Sequence, residues 1–384
     1  MIPTYVPLSQ VATLQAGIGF PLEMQGKKNG AYPFAKVGDI SRCGRSGNSV
    51  LSDADHYVDD EDLAELRGKL IPRGSVLFAK IGEAIRQNHR VISGCDLLID
   101  NNAMAAIPGP NTDCRYLFHF LKTVDFYRLA PATTVPAIRK SDLEKLLTPF
   151  PQLPEQRRIA AILDQADALR AKRREALAQL DYLTQSIFIE MFGEPALNAL
   201  SWPVKTLKEV GKVKTGGTPP SGVDGMFGGS IPFVTPGDLG STQPPKRTVT
   251  EFGAAAAETV RPGAALVCCI GTIGKMDKAR LRSAFNQQIN AVEWGAAIDD
   301  DYGIQALNLL KPQIVAKGSS TTLPILKKSS FEQVTIPVPP ILLQKVFSRR
   351  VNAIESLKEI HRSALEECDR LFASIQQRAF IGGL

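Results

Sequence analysis

Catalytic chemistry has few places to sit in this sequence of 384 residues. Its four histidines (His56, His89, His119 and His361) are scattered and form no HExxH pair, which removes a common zinc hydrolase arrangement. Six cysteines (Cys43, Cys95, Cys114, Cys268, Cys269 and Cys368) include no CxxC or other zinc spacing, so neither a disulfide framework nor a metal site is expected. Cys268 and Cys269 lie in the apolar run ALVCCIG and read as small buried residues. The glycines of GTIG (271–274) are too closely spaced for a phosphate loop or a dinucleotide fingerprint, and no GxSxG elbow occurs. Pro-Pro pairs stand as TPPS, QPPK and VPPI, without the Asn/Asp-Pro-Pro-aromatic motif of a methyltransferase acting on an amino nitrogen. The acidic run DADHYVDDED (53–62) lacks the glycine and terminal glutamate of a calcium loop and reads as a solvated helix start. Apolar runs fall short of the roughly 20 residues that span a bilayer. The start MIPTYVPLSQ has no signal-peptide apolar region, so the cytoplasm is the default expectation.

What the sequence does have is ordinary globular composition, 44% apolar and 22% charged, with a net charge of +6 found mostly beyond residue 200. So mild an excess permits an anionic partner without demanding one. It also has a repeat. YPFAKVGDIS (32–41) returns as IPFVTPGDLG (231–240), and LIPRGSVLFAKIGEA (70–84) as TVRPGAALVCCIGTI (259–273). NNAMAAIP (101–108) is echoed by FNQQINAV (285–292), and ATTVPAIRKSDLEKLLTPFPQLPEQ (132–156) by STTLPILKKSSFEQVTIPVPPILLQ (320–344). Blocks recurring in one order make the chain two copies of a single module. The second block reads as a turn followed by a buried strand that ends at a glycine.

Each copy ends in a long glycine-free stretch. From Arg157 the apolar positions Ile159, Ile162/Leu163, Ala166, Leu169, Leu177, Leu180, Leu183, Ile187 and Met191 recur close to every 3.5 residues. Phe347, Val351, Ile354, Leu357, Leu365, Leu371/Phe372 and Ile375 do so in the second copy. That period predicts coiled-coil seams, and each seam's natural partner is the other helix. Chain direction makes the pair antiparallel. The expected fold is α+β: two similar α/β domains joined by two long antiparallel coiled-coil helices with pseudo-two-fold symmetry. Expected boundaries are 1–150 and 200–340 for the domains, and 151–199 and 341–384 for the helices.

With no catalytic grouping to assemble, binding residues become the subject. Arg, Lys, Asn and Gln are the side chains that meet phosphates and base edges. They cluster in KIGEAIRQNHR (Lys80, Arg86, Gln87, Asn88, Arg90) and in IGTIGKMDKARLR (Lys275, Arg280, Arg282). A second pair of segments is rich in threonine and base: Thr133, Thr134, Arg139 and Lys140 in one copy, Lys317, Ser320, Thr321, Lys327 and Lys328 in the other. KTGGTPPSG adds Lys214, Thr215 and Thr218, and its counterpart in the first copy carries Lys27 and Lys28. A solvated hairpin or a capped turn before a helix accounts for the same residues without any ligand. RAKRRE (170–175) reads as a solvated helix flank.

TGGTPPSG followed by IPFVTPGDL, the NQQI and STTLPILKKS blocks, and PFPQLPEQRRIAAIL before its long helix resemble the specificity subunit of type I restriction-modification systems. The resemblance covers essentially the whole chain. It implies that each module is a target-recognition domain reading one half of a split site in double-stranded DNA. It further implies that the paired helices space the modules and dock two methyltransferase subunits, with a motor-nuclease subunit joining for restriction. S-adenosylmethionine and ATP would then belong to those partners, leaving this chain with no cofactor and no catalysis of its own. The second copy departs from the pattern in having Leu343 where the first has Glu155. A duplicated protein-joining scaffold would explain the helices but not basic, Thr-rich loops in both copies. A self-sufficient methyltransferase would lack its cofactor loop and its catalytic motif.

Overall fold

A computed structural model describes residues 4–130, 135–241, 243–319 and 323–381. The chain divides into two compact units, Met1–Glu175 with Ser363–Leu384, and Ala176–Arg362. Each long helix therefore contributes one segment to each unit.

Among the described residues, unit 1 is built on ten short strands. These are β1 (Tyr5–Pro7), β2 (Ala12–Ala16), β3 (Tyr32–Ala35), β4 (Val50–Leu51), β5 (Tyr57–Val58), β6 (Val76–Ala79), β7 (Val91–Ser93), β8 (Leu98–Ile99), β9 (Ala103–Pro108) and β10 (Leu147–Pro149). They form a five-stranded sheet in the order β2-β9-β6-β7-β4, a three-stranded sheet β5-β3-β8, and the pair β1-β10. Unit 2 contains β11 (Val204–Thr206), β12 (Gly211–Thr215), β13 (Phe227–Val234), β14 (Thr248–Val249), β15 (Thr259–Val260), β16 (Ala265–Cys268), β17 (Met276–Lys278), β18 (Ser283–Phe285), β19 (Ile289–Trp294) and β20 (Thr335–Pro337). Their orders are β12-β19-β16-β17, β14-β13-β18-β15 and β11-β20. The repeat read in the sequence is thus a repeat of sheets. β2-β9-β6-β7 matches β12-β19-β16-β17 with the same antiparallel pairings, and the parallel β3/β8 contact returns as β13/β18.

Each unit's central strand is buried on both faces, which is why VLFA and ALVC read as unbroken apolar runs. Cys268 ends the second of these strands and Cys269 follows it, both buried as expected. The helix Asp60–Glu65 begins inside the acidic run, with an Asp59–Asp62 capping box. The recurring Gly-Asp has a local cause as well. Asp39 accepts the Lys36 N–H at 2.8 Å and Asp238 accepts the Thr235 N–H at 2.8 Å, so each carboxylate closes the turn that leaves its strand.

The long helices run Leu153–Phe192 and Ile341–Ile381. Pro154 sits in the first turn of one, where a missing N–H costs nothing, and Gly193 ends it at φ +75°. In unit 1 Ile159, Ala160 and Leu163 of the first helix join Phe372, Ala379 and Phe380 of the second in one apolar core with Tyr116 and Phe120. In unit 2 Phe188 and Phe192 pack on Phe347 and Tyr302. There Asp181 faces Lys358 while Phe188 faces Phe347, so the two segments run antiparallel.

The seams differ from the apolar expectation near their middle. Leu169, Leu183, Leu357 and Leu371 are exposed, and the inward positions beside two of them belong to Arg170 and to Lys358, only 5% exposed. A 3.5-residue reading drifts against a 3.6-residue helix, and long basic stems fill the gap that leucine would have filled.

Candidate nucleic-acid interface

Two candidate segments distant in the sequence are joined in each unit by the same small bridge. Ile81 pairs with Ala137 and Ile270 with Ile325, both antiparallel. Gly82 N–H donates to the Pro136 carbonyl at 2.8 Å and Ile138 N–H to the Lys80 carbonyl at 2.8 Å. In unit 2, Gly271 N–H donates to Pro324 at 2.9 Å and Leu326 N–H to Cys269 at 2.8 Å. Gly82 and Gly271 turn the chain with φ of +81° and +80°, a conformation that costs a side-chain-bearing residue dearly. The glycine three residues beyond each central strand is therefore what lets its loop meet the Thr-rich segment.

Directly after each bridge comes a short helix, Lys140–Glu144 or Lys328–Glu332. Lys140 pairs with Glu144 at 3.6 Å and Lys328 with Glu332 at 3.7 Å, both half in solvent. Arg139 and Lys327, each one residue earlier, are exposed. Among the described residues, Lys80, Gln87, Arg139, Arg280, Lys317 and Lys327 have no side-chain partner. Thr133, Thr134, Ser320 and Thr321 lie outside the described residues.

KTGGTPPSG meets the NQQI block. A Cβ on Gly216 would lie 2.2 Å from the Asn286 carbonyl oxygen and 2.4 Å from that of Phe285; on Gly17, 2.0 Å from Asp100 O and 2.4 Å from Ile99 O. Only glycine allows that approach, and it sets Thr215 Oγ1 2.7 Å from Asn290 Oδ1 and Thr218 Oγ1 2.6 Å from Gln287 Oε1.

Several candidates are engaged within the fold. Arg90 is 4% exposed, with its guanidinium 3.7 Å from the centre of the Phe126 ring, donating to the His89 carbonyl at 2.8 Å and to Asn88 Oδ1 at 2.7 Å. Burial presses its pKa down to about 9. The expectation that Arg90 contacts DNA is corrected: it is a buried brace, and Asn88, at φ +53°, is its acceptor. Lys214 is likewise held inward, by the Thr259 carbonyl at 2.7 Å, Glu258 at 3.2 Å and Glu293 at 3.3 Å. Lys275 donates to the carbonyls of Pro236 at 2.8 Å and Gly237 at 3.4 Å. Lys27 is clamped by Asp59 and Asp62, whose carboxylates raise its pKa, and Lys28 reaches the Asp55 carbonyl at 3.2 Å. Arg282 forks onto Glu251 at 2.8 and 3.0 Å.

Arg86 is different. Its guanidinium lies 4.1 Å from the centre of the Tyr127 ring, with Nε 2.8 Å from Glu83 and an Nη donating to the Tyr127 hydroxyl at 2.6 Å, and its side chain stays 56% exposed. Tyr127 belongs to no candidate motif, and only the fold brings it to this loop.

Sequence reasoning also passed over the glutamine of each PEQ/LLQ motif. Gln156 and Gln344 are fully buried. Gln156 accepts the Asp113 N–H at 2.9 Å and donates to the carbonyls of Asn111 and Pro151 at 3.1 and 2.8 Å. Gln344 does the same with Asp299, Ala297 and Pro339, at 2.8, 3.0 and 2.7 Å. Retention of Gln at matching positions of two otherwise differing motifs was the available signal. Among the described residues, no group of His, Cys, Asp or Glu is placed to hold a metal ion, and no helix is long and apolar enough to cross a membrane.

A family described as the type I restriction modification DNA specificity domain matches residues 4–179 and 200–368. Two type I restriction enzyme specificity subunits of Methanocaldococcus jannaschii, MjaX and MjaIX, are similar along most of the chain. MjaX is 22% identical over 389 residues, covering 93% of this chain and 88% of its own. MjaIX is 24% identical over 358 residues, covering 82% and 81%. The crystal structure of a type I restriction-modification S subunit from M. genitalium superimposes with a TM-score of 0.60 at 16% identity, covering 99% of both chains.

Proposed function

The chain belongs to the type I restriction modification DNA specificity family, and from that premise we propose that each unit reads one half of a split site in double-stranded DNA through its bridged loops. Membership makes the chain a non-catalytic specificity subunit. Beyond that, in this reading it positions two methyltransferase subunits, and a motor-nuclease subunit for restriction, in the cytoplasm where the DNA is.

One observation carries the reading. The same two-hydrogen-bond bridge leads in both units into an exposed cation without a side-chain partner at the equivalent place, Arg139 in one and Lys327 in the other, and Lys80 and Lys317 lie in the same segments without being equivalents. An unpaired exposed ammonium is suited to a phosphate, because it gives up little solvation and no existing ion pair. Thr133, Thr134, Ser320, Thr321, Lys140 and Lys328 share these segments and are proposed contacts of the same kind. Arg280, Arg282, Thr215, Thr218 and Gln87 are proposed as neighbours of the path.

The test is the salt dependence of DNA binding by the chain assembled with its methyltransferase. Lys327→Ala should weaken binding to all sequences alike and lower the slope of log K against log salt by up to about 0.9. Lys328→Ala should do less, since Glu332 already offsets its charge. An unchanged slope in folded Lys327→Ala protein would remove these loops from the interface. Exchange of residues 1–150 for a relative's module should change one half-site only.

A further inference from the structure

We infer that Arg86 is a base-reading residue of unit 1, offering the free fork of its guanidinium to the O6/N7 edge of a guanine. The inference rests on the bridged loops being the DNA interface, and it concerns which kind of contact Arg86 makes there.

The loop is built to hold this side chain still. Gly82 turns it out of the bridge at φ +81°, and Ile85, 1% exposed, pins the turn to the core. Glu83, Arg86 and Gln87 are left on the outside. Tyr127 supplies a floor for the guanidinium, and it is itself half-buried against the core of unit 1. Its backbone N–H is capped by Asp125 at 3.0 Å. A guanidinium carries five N–H donors. Glu83 lies beside Nε as an ion-pair partner and the Tyr127 hydroxyl takes one Nη2 donor, so both Nη1 donors and one Nη2 donor are left without a hydrogen-bond partner among the described residues. A pair of these donors matches the two acceptors of guanine in the major groove. Ordering the side chain beforehand removes an entropic cost that a free arginine would meet on binding.

Charge decides against a phosphate. Glu83, 2.8 Å away, leaves the pair nearly neutral and would repel a phosphate oxygen, whereas a base edge carries no net charge and needs only the donors. Unit 2 has no such device on the matching loop, where Lys275 is turned in to the carbonyls of Pro236 and Gly237. On this basis the two units share phosphate contacts and differ in base contacts, as reading two different half-sites requires.

The experiment maps methylated sites and measures DNA binding for the chain assembled with its methyltransferase, as wild type, Arg86→Lys, Glu83→Gln and Lys327→Ala. The half-site of unit 1 is identified by exchanging residues 1–150. Arg86→Lys keeps the charge and loses the fork. One guanine position in the half-site of unit 1 should lose its preference, with discrimination falling about 5- to 150-fold. The other half-site and the salt slope should not change. Glu83→Gln, a change at an exposed side chain, should lower discrimination at that same position, and it serves if the Arg86 variant fails to fold. Intact guanine preference in a folded variant overturns the inference. So does uniform weakening of both half-sites with a smaller salt slope, which would mark a phosphate contact. Should Lys327→Ala weaken binding while both Arg86→Lys and Glu83→Gln change nothing, the role of Arg86 falls and the interface stands. Should none of the three change binding, both fall.

Discussion

The ammonium of Lys358 lies 2.7 Å from the carboxylate of Asp181 on the other long helix, and Arg170 and Asp369 repeat the relationship in unit 1 with the helices exchanged. Each base also has an acid three residues earlier on its own helix, Glu355 at 2.6 Å and Asp167 at 2.7 Å. The two clamps stand at equivalent positions of the repeat, in seams that are otherwise apolar. An ion pair there discriminates against a slipped register, which would leave a charge buried and unmatched.

Asp181→Ala should therefore destabilise unit 2 by about 1–2 kcal/mol, because a buried ammonium keeps only Glu355. Lys358→Met should cost less than about 1 kcal/mol, since it keeps the stem's packing and removes the charge that needs a partner. Both tryptophans, Trp202 and Trp294, lie in unit 2, so urea unfolding followed by tryptophan fluorescence reports this unit alone. An equal loss in both variants would show that packing, and not the pair, matters here.

Unit 1 should carry an acid sensitivity that unit 2 lacks at the matching position. Burial alone would raise the pKa of Asp164, but His119 Nε2 at 2.7 Å and the Arg115 fork outweigh it and hold the carboxyl at about 2. The repeat has Asn352 in its place. A folded-state value below the ordinary 3.8 means the stabilisation is full above about pH 4 and is lost as pH falls toward 2. Its size is on the order of 2 kcal/mol. Asp164→Asn should raise hydrogen exchange in residues 114–123 relative to wild type at pH 5, and the difference should vanish near pH 2. A difference that persists at pH 2 would assign the effect to shape and not to charge.

Repeats, buried central strands and long helices were legible because each leaves a periodic or recurring local pattern. Most of the candidate interface was not, because its geometry is set by hydrogen bonds between residues far apart in the sequence. Lys214 and Lys275 look as available as Lys317 and Lys327 in the sequence, yet the first two reach backbone carbonyls 45 and 39 residues away. Arg90 differs from Arg86 by four positions and is on the other side of the loop, facing Phe126. Leu169 and Leu357 fit the heptad and are exposed, because the clamps place Arg170 and Lys358 inward beside them. Local pattern picked out segments rich in basic and amide side chains and could not tell which of those side chains the rest of the fold would claim.

The buried glutamines make the sharpest test of the repeat as a structural device. Gln156 bonds the backbone ahead of the helix Cys114–Thr123 and the proline turn before the first long helix, and Gln344 makes the same three bonds ahead of Asp300–Leu309. The same two helices are fastened again where Tyr116 and Tyr302 donate to the carbonyls of Pro149 and Pro337, at 2.7 and 2.8 Å. Truncation of either glutamine removes three hydrogen bonds made by a fully buried side chain, at a cost of about 2–4 kcal/mol. Gln344→Ala should lower the urea midpoint seen by tryptophan fluorescence, whereas Gln156→Ala should leave that signal unchanged and raise hydrogen exchange in residues 114–123 and 153–163. Gln→Glu at either position should be no milder, because a carboxylate cannot donate to the two carbonyls and would bury a charge. Loss of less than about 1 kcal/mol from Gln344→Ala would mean that the proline turn and the tyrosine hold the junction without it.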